Sequence, residues 1–153
     1  MSEMSDLYNR ILLLKKSHIF SEVLTEDLRA VAQALENEAY VSGDRVFDIH
    51  QQGDRMYMIE QGKIGISTHP DPVKKEFVAT MGPGDCFGEM NLLDELPRSA
   101  TAHVIEDSSV LSLHKDKLRG LIIHYPELSL GILKSLSLRL RNTTLLLQSA
   151  QKD

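Results

Sequence analysis

The stretch Gly82-Pro83-Gly84-Asp85-Cys86-Phe87-Gly88-Glu89-Met90-Asn91-Leu92-Leu93-Asp94-Glu95-Leu96-Pro97-Arg98-Ser99-Ala100-Thr101-Ala102 decides how the rest of the chain is read. A glycine-rich turn releases into residues 88–93, which can form one or two helical turns. A helix start directs its first backbone N–H groups and the positive end of its dipole toward an anion. Pro97-Arg98-Ser99 follows. Arginine supplies a planar, permanently charged fork that matches phosphate oxygens, and the neighbouring serine hydroxyl can add one hydrogen bond. Glu89 would repel a phosphate unless it had another task. A carboxylate only accepts, so it suits a ribose hydroxyl one sugar bond from the phosphate, while Arg98 neutralises the anion. Together these residues ask for a nucleotide. Taken singly, Gly88-Glu89 and Arg98 read as a surface turn beside an exposed ion pair; their joint spacing turns the balance.

Outward from this stretch, short apolar pieces alternate with glycine turns at Gly43-Asp44, Gly53-Asp54, Gly62-Lys63 and residues 82–85. Turns spaced roughly 8–12 residues apart mark a sandwich or small barrel. Period-two alternation over 63–68, 77–81 and 102–104 predicts strands with one buried face, and 110–113 reads as a last strand. On the N-terminal side, Leu7, Ile11 and Leu14 follow helical spacing across 6–16, and a second helix is expected from Thr25, as its N-cap, to near Glu38. A short helix is expected near Lys115 to His124. Pro126 then opens a final helix that can reach Ser149. Along it Leu133, Leu136, Leu140, Thr143 and Leu147 step by three and four, the spacing of a seam against another helix. Leu138, Leu145 and Leu146 lie off that seam, which favours a two-fold contact with a second chain over simple docking.

The residues Phe87-Gly88-Glu89-Met90, Leu92-Leu93 and Pro97-Arg98-Ser99-Ala100-Thr101 closely resemble the phosphate-binding cassette of the cyclic nucleotide-binding domain family. The resemblance extends to Gly43-Asp44-Arg45-Val46-Phe47, Gly53-Asp54-Arg55-Met56-Tyr57 and Ile59-Glu60-Gln61-Gly62-Lys63-Ile64. It implies a mainly β fold with flanking α: a double-stranded β-helix, jelly-roll-like barrel with N-terminal helices, a short cassette helix and a long C-terminal helix. It implies ligand contacts at Phe87, Gly88, Glu89, Met90, Arg98, Ser99 and Ala100. Within that set the Gly88 and Glu89 amides and Arg98 hold the cyclic phosphate, Glu89 accepts from the ribose 2′-OH, and Ser99 adds a phosphate contact. Residues 136–144 resemble the dimer helix of bacterial cyclic-AMP receptors, which implies that Thr143 and Thr144 cap the adenine amino group and that Arg139 pairs with Glu89 in the bound state. Thr143 reads equally well as a small polar residue setting the register of the seam. Asn91 stands where the family has Ala or Ser, a departure that bears on ligand preference rather than on binding. His50 stands where the family has a turn glycine, so a different local backbone course is expected there, with only local effect.

The chain has 153 residues, one ordinary domain's worth, with 17 basic and 22 acidic side chains for a net charge of −5. That balance argues against a broad nucleic-acid or anionic-membrane surface. No uninterrupted apolar run exceeds four residues, as at Ile11 to Leu14, and the N-terminus carries no basic signal region, so a cytoplasmic protein without a membrane span is expected. Cys86 is the single cysteine and reads as a small buried apolar residue beside Phe87. The six histidines are scattered singly, unlike the clustered ligands of a cupin-like metal enzyme, the chief enzymatic rival for a small barrel. No nucleophile–base motif is present. The expectation is a sensor without catalysis, metal or cofactor. Residues 6–126 form its binding barrel with flanking helices, and 127–150 a lid or dimerisation helix. Its ligand is cAMP, with cGMP as the second choice, and its partners are a second copy of itself and a downstream protein. The alternative is the sensor part of a larger transcription regulator, read without the DNA-binding module.

Overall fold

The computed structural model describes residues 3–151. They form two compact units: Ala34–Arg119, and the N-terminal stretch through Gln33 together with the chain from Gly120 onward.

The first unit is the antiparallel β structure. Its strands are β1 (Glu36–Tyr40), β2 (Arg45–Phe47), β3 (Arg55–Ser67), β4 (Ala79–Met81), β5 (Cys86–Phe87) and β6 (Thr101–His114). The spine is the long ladder of β3 with β6, from Arg55 opposite His114 to Ser67 opposite Thr101. On the far side of β6 lie β1, near its C-terminal half, and β2, near its start. On the far side of β3 lie β5 and β4. One face of the spine is apolar at every second position, so Tyr57, Ile59, Ile64, Ala102, Val104 and Val110 meet Phe87 in a buried cluster, with Phe47, Ile66 and Met81 packed against it. Met56, Met58, Leu111 and Leu113 alternate onto the opposite face and are also fully buried.

Several sequence expectations change here. Residues 102–104 and 110–113 belong to one fourteen-residue strand, because the polar Glu106-Asp107-Ser108 run continues it, with Glu106 opposite Lys63 of β3 and Ser108 opposite Tyr40 of β1. Gly62 is likewise no turn but an irregularity inside β3, where the register shifts between Gln61 and Lys63. Its φ of 105° and the Ser108 Cα 2.6 Å from where a Cβ would stand make glycine the residue for that place. Only Ala79–Met81 of the 77–81 segment enters the sheet. Cys86 is half-buried in β5, not fully buried.

The second unit holds α1 (Glu3–Lys16), α2 (Thr25–Gln33) and α4 (Glu127–Gln151); α3 (Lys115–His124) bridges the sequence boundary between the units. α2 stops at Gln33 rather than near Glu38, because residues 36–40 pair with β6 and that ladder overrides their helical pattern. Its first acceptor is the Leu24 carbonyl, bonded by the Asp27 and Leu28 amides at 3.0 Å each, one residue before the expected Thr25 cap. Leu14, Ile19, Phe20, Val23, Leu28, Val31, Leu128 and Ile132 form this unit's buried apolar set. α4 approaches Val23 at Gly131, and the Glu22 amide donates to Ser135 Oγ at 2.9 Å. From Arg141 onward every described residue of α4 is exposed, Leu145, Leu146 and Leu147 included. No described helix is long and apolar enough to cross a membrane.

Candidate functional site

The cassette folds as its sequence suggests. β5 ends at Phe87, Gly88 turns with a left-handed φ of 70°, and a short 3-10 helix runs from Glu89 to Leu92. Arg98 returns to this turn from the other end of the loop. Its Nη1 donates to the Gly88 carbonyl at 3.1 Å and to Asn91 Oδ1 at 3.0 Å, and its Nη2 donates to the Arg55 carbonyl at 2.9 Å. A Cβ on Gly88 would stand 2.6 Å from Nη1, so glycine serves both the backbone turn and the approach of the guanidinium.

The guanidinium lies over the Phe47 ring, its Cζ 4.0 Å from the centroid. Phe47, Tyr57 and Phe87 form an aromatic cluster, with Tyr57 and Phe87 stacked at 5.0 Å. A desolvated cation over a ring contributes about 2 kcal/mol, and each charged hydrogen bond about 1.5–3 kcal/mol, against the cost of burying the ion. Arg98 is only 4% exposed, and that burial pulls its pKa below the usual arginine value, although guanidinium remains charged in proteins. Burial, with the Glu38 charge adding to it, pushes the Tyr57 phenol up to about 12. The three hydrogen bonds of Arg98 all go to neutral oxygens, while the carboxylates of Asp54 and Asp94 favour its charge through space.

The Arg98 backbone is pinned independently of its side chain. Its amide donates to the Gln51 carbonyl and its carbonyl accepts from the His50 amide, both at 2.8 Å, with a β-bridge between Gln52 and Pro97 alongside. The Ile49 amide donates to Thr101 Oγ1 at 2.9 Å and Gln52 Nε2 to the Glu95 carbonyl at 2.9 Å. His50 takes a φ of 70°, the left-handed conformation that a glycine adopts more readily. Its influence is not merely local, because its amide bonds directly to the Arg98 carbonyl. The lacing of residues 49–52 along 95–101 went unseen in the sequence, where only the absent turn glycine hinted at it.

A cleft of about 240 Å³ opens at this place. Phe47, Ile66, Met81, Cys86 and Phe87 line it with apolar side chains; on the cassette, Glu89, Asn91, Arg98 and Ser99 bring polar groups to it, beside Gly88, Met90 and Ala100. The structure thus brings together Phe87, Gly88, Glu89, Met90, Arg98, Ser99 and Ala100. Arg139, Thr143 and Thr144 lie on α4, in the other unit. There the Thr143 hydroxyl donates to the Arg139 carbonyl at 3.0 Å and the Thr144 hydroxyl to the Leu140 carbonyl at 2.9 Å. Among the described residues no group of three or more His, Cys, Asp or Glu side chains is placed to hold a metal ion.

Residues 37–125 match the family described as the cyclic nucleotide-binding domain. The chain is 33% identical over 131 residues to the CRP-like cAMP-activated global transcriptional regulator of Mycobacterium tuberculosis, a match covering 86% of this chain and 58% of the regulator's length. The solved N-terminal domain of a transcriptional regulator from Streptomyces coelicolor A3(2) is similar with a TM-score of 0.77 at 27% identity, covering 86% of this chain and 94% of that one. The Thermus thermophilus catabolite activator protein is similar with a TM-score of 0.67 at 30% identity, covering 88% of this chain and 63% of that one. With a cassette turn, a returning arginine and an apolar-walled cleft in place, and a family match over more than half of its length, the chain belongs to the cyclic nucleotide-binding domain family.

Proposed function

We propose that this chain is a regulatory module that binds a cyclic nucleotide, cAMP before cGMP, and releases it unchanged. The observation that carries the reading is the buried Arg98 guanidinium, held by neutral oxygens at the border of a cleft lined by apolar side chains and by polar groups of the cassette. A cyclic phosphodiester supplies the single negative charge that such a cation attracts. Gly88 and Glu89 amides and the Ser99 hydroxyl complete the phosphate site, Glu89 takes the ribose 2′-OH, Met90 and Ala100 bound the pocket, and Phe87 belongs to the apolar wall that receives the base.

Thr143 and Thr144 each spend their hydroxyl proton on a carbonyl of their own helix, which leaves the oxygen an acceptor. An amino group at position 6 of adenine can donate to such an oxygen, and the oxo group of guanine cannot. In this proposal residues 6–126 bind, and 127–150 act as lid and dimer helix, with Arg139 answering Glu89. Two copies associate through the exposed leucines of α4, and ligand shifts the packing of that helix for a downstream protein in the cytoplasm. Only a difference in affinity between two helix arrangements can drive that shift. A second reading, the sensor part of a longer transcription regulator, is favoured by the likeness to the N-terminal domain of such a regulator.

Titration calorimetry with cAMP, cGMP, a cyclic dinucleotide, AMP and ATP tests the reading. The expected result is cAMP binding that weakens at least about tenfold in Arg98→Ala, the loss of one charged hydrogen bond or more. Equal affinity of the parent and Arg98→Ala for cAMP would refute it.

A further inference from the structure

Asn91 is 93% buried in the cassette, and its carboxamide is fully oriented: Nδ2 donates to the Leu96 carbonyl at 2.6 Å and to Asp94 Oδ1 at 3.3 Å, and Oδ1 accepts from Arg98 Nη1 at 3.0 Å. Leu96 O can only accept, so the amide cannot flip without setting oxygen against oxygen. The remaining acceptors of Arg98 are main-chain carbonyls of Gly88 and Arg55, fixed beside β5 and in β3. Asn91 is the one side chain in the set. It reaches across the cassette loop, bonding the 3-10 helix to the segment just before Pro97 and to the guanidinium itself.

We propose that Asn91 is a positioning residue: its carboxamide fixes the rotation of the Arg98 guanidinium about its own axis, and thereby decides which of the two exocyclic phosphate oxygens the arginine favours. Of the five guanidinium protons, three are taken by Gly88 O, Asn91 Oδ1 and Arg55 O. Those that remain are one on Nε, which is buried without a partner against Gly53, and one on Nη2. With Nη1 anchored, an anion meets the Nη2 edge of the guanidinium in one orientation, and its two exocyclic oxygens, which are not equivalent on a cyclic ring, are told apart. Without the Asn91 oxygen the guanidinium gains a rotational freedom that the main-chain carbonyls restrain only in part. The specificity half of this proposal rests on the reading of Arg98 as the phosphate ligand.

Two measurements test it. The first uses the protein alone: ¹⁵N NMR of the Arg98 guanidinium should show hindered rotation in the parent and faster rotation in Asn91→Ala. The second is calorimetry with the two diastereomers of adenosine 3′,5′-cyclic monophosphorothioate, in which sulfur replaces one exocyclic oxygen or the other. The parent should prefer one diastereomer. Asn91→Ala should weaken binding about tenfold and bring the diastereomer ratio toward one. A mere loss of stability would lower the melting temperature without altering that ratio. Equal hindrance in the parent and Asn91→Ala, or an unchanged ratio in a folded Asn91→Ala, overturns the proposal and leaves the functional reading standing. A parent that binds neither diastereomer overturns both the functional reading and the specificity half, and the NMR comparison still decides whether Asn91 holds the guanidinium.

Discussion

Gly53 sits so close to Arg98 that a Cβ added to it would stand 2.5 Å from Arg98 Nε and 2.6 Å from the Asn91 carboxamide carbon. The glycine is outside the cassette and does not line the cleft, yet it defines the space in which the guanidinium and its asparagine partner lie. The 50–53 segment therefore controls Arg98 twice, by main-chain bonds at His50 and Gln51 and by the missing side chain at Gly53.

Gly53→Ala is expected to push both side chains off their places, costing about 1–3 kcal/mol of stability through overpacking. cAMP affinity should fall about tenfold, as for a lost charged hydrogen bond. Calorimetry beside a thermal melt reads both; full affinity in a folded Gly53→Ala would show that Arg98 has room to move.

His50→Gly is expected to stabilise the protein slightly. A non-glycine residue in the left-handed region costs roughly 1–2 kcal/mol, and glycine gives back roughly 0.4–1 kcal/mol through the freer unfolded chain. A net gain of about 0.5 kcal/mol should appear in urea denaturation. A loss greater than about 1 kcal/mol would mean that the His50 side chain itself holds the turn.

His103 is 4% exposed on β6, its ring tilted against Phe77 at 5.4 Å between centroids. Burial chiefly, then the charges of Arg45 and Lys75, lower its pKa below the ordinary 6.5. The unfolded chain therefore takes up this proton first, so the stability that His103 contributes is present above 6.5 and is lost as pH falls through the window down to its folded pKa. The melting temperature should drop as pH falls below 6.5, and His103→Gln should flatten that slope. The same slope in both proteins would assign the acid sensitivity elsewhere.

Leu140 and Leu147 are 68% and 60% exposed on α4. Replacing both by Glu should leave the melting of a single chain nearly unchanged, since exposed substitutions shift stability by about 0.5 kcal/mol or less. Light scattering at micromolar concentration should then report a monomer where the parent is a dimer. A parent that is monomeric with and without cAMP removes the dimer from the proposed function.

The cassette was legible because its chemistry is local: Gly88, Glu89, Arg98 and Ser99 sit within one short loop, and residue type alone states what each can bond. What brings Arg98 to rest is not local. Arg55 contributes to it only a carbonyl and Gly53 only the lack of a side chain, so the family pattern that contains both does not say what either does for Arg98. Asn91 showed as an unusual residue, but its partners Leu96 and Arg98 become evident only once the loop has closed. The strand limits failed for a related reason. Glu106-Asp107-Ser108 and Gly62 look like turns in one dimension, whereas β3 and β6 run on through them, with Gly62, Asp107 and Ser108 in the register shift between the pairs Gln61–Ser109 and Lys63–Glu106.

That ladder also governs the order of events at the ribosome. β3 is complete at Ser67, but its first residue, Arg55, pairs with His114, so the strand must wait while the intervening chain is made. At roughly 5–20 residues per second the delay lasts several seconds, with much of the strand's hydrogen-bonding edge still without its main partner. The newborn barrel therefore passes through an obligatory interval in which chaperone capture and strand mispairing compete with its own closure.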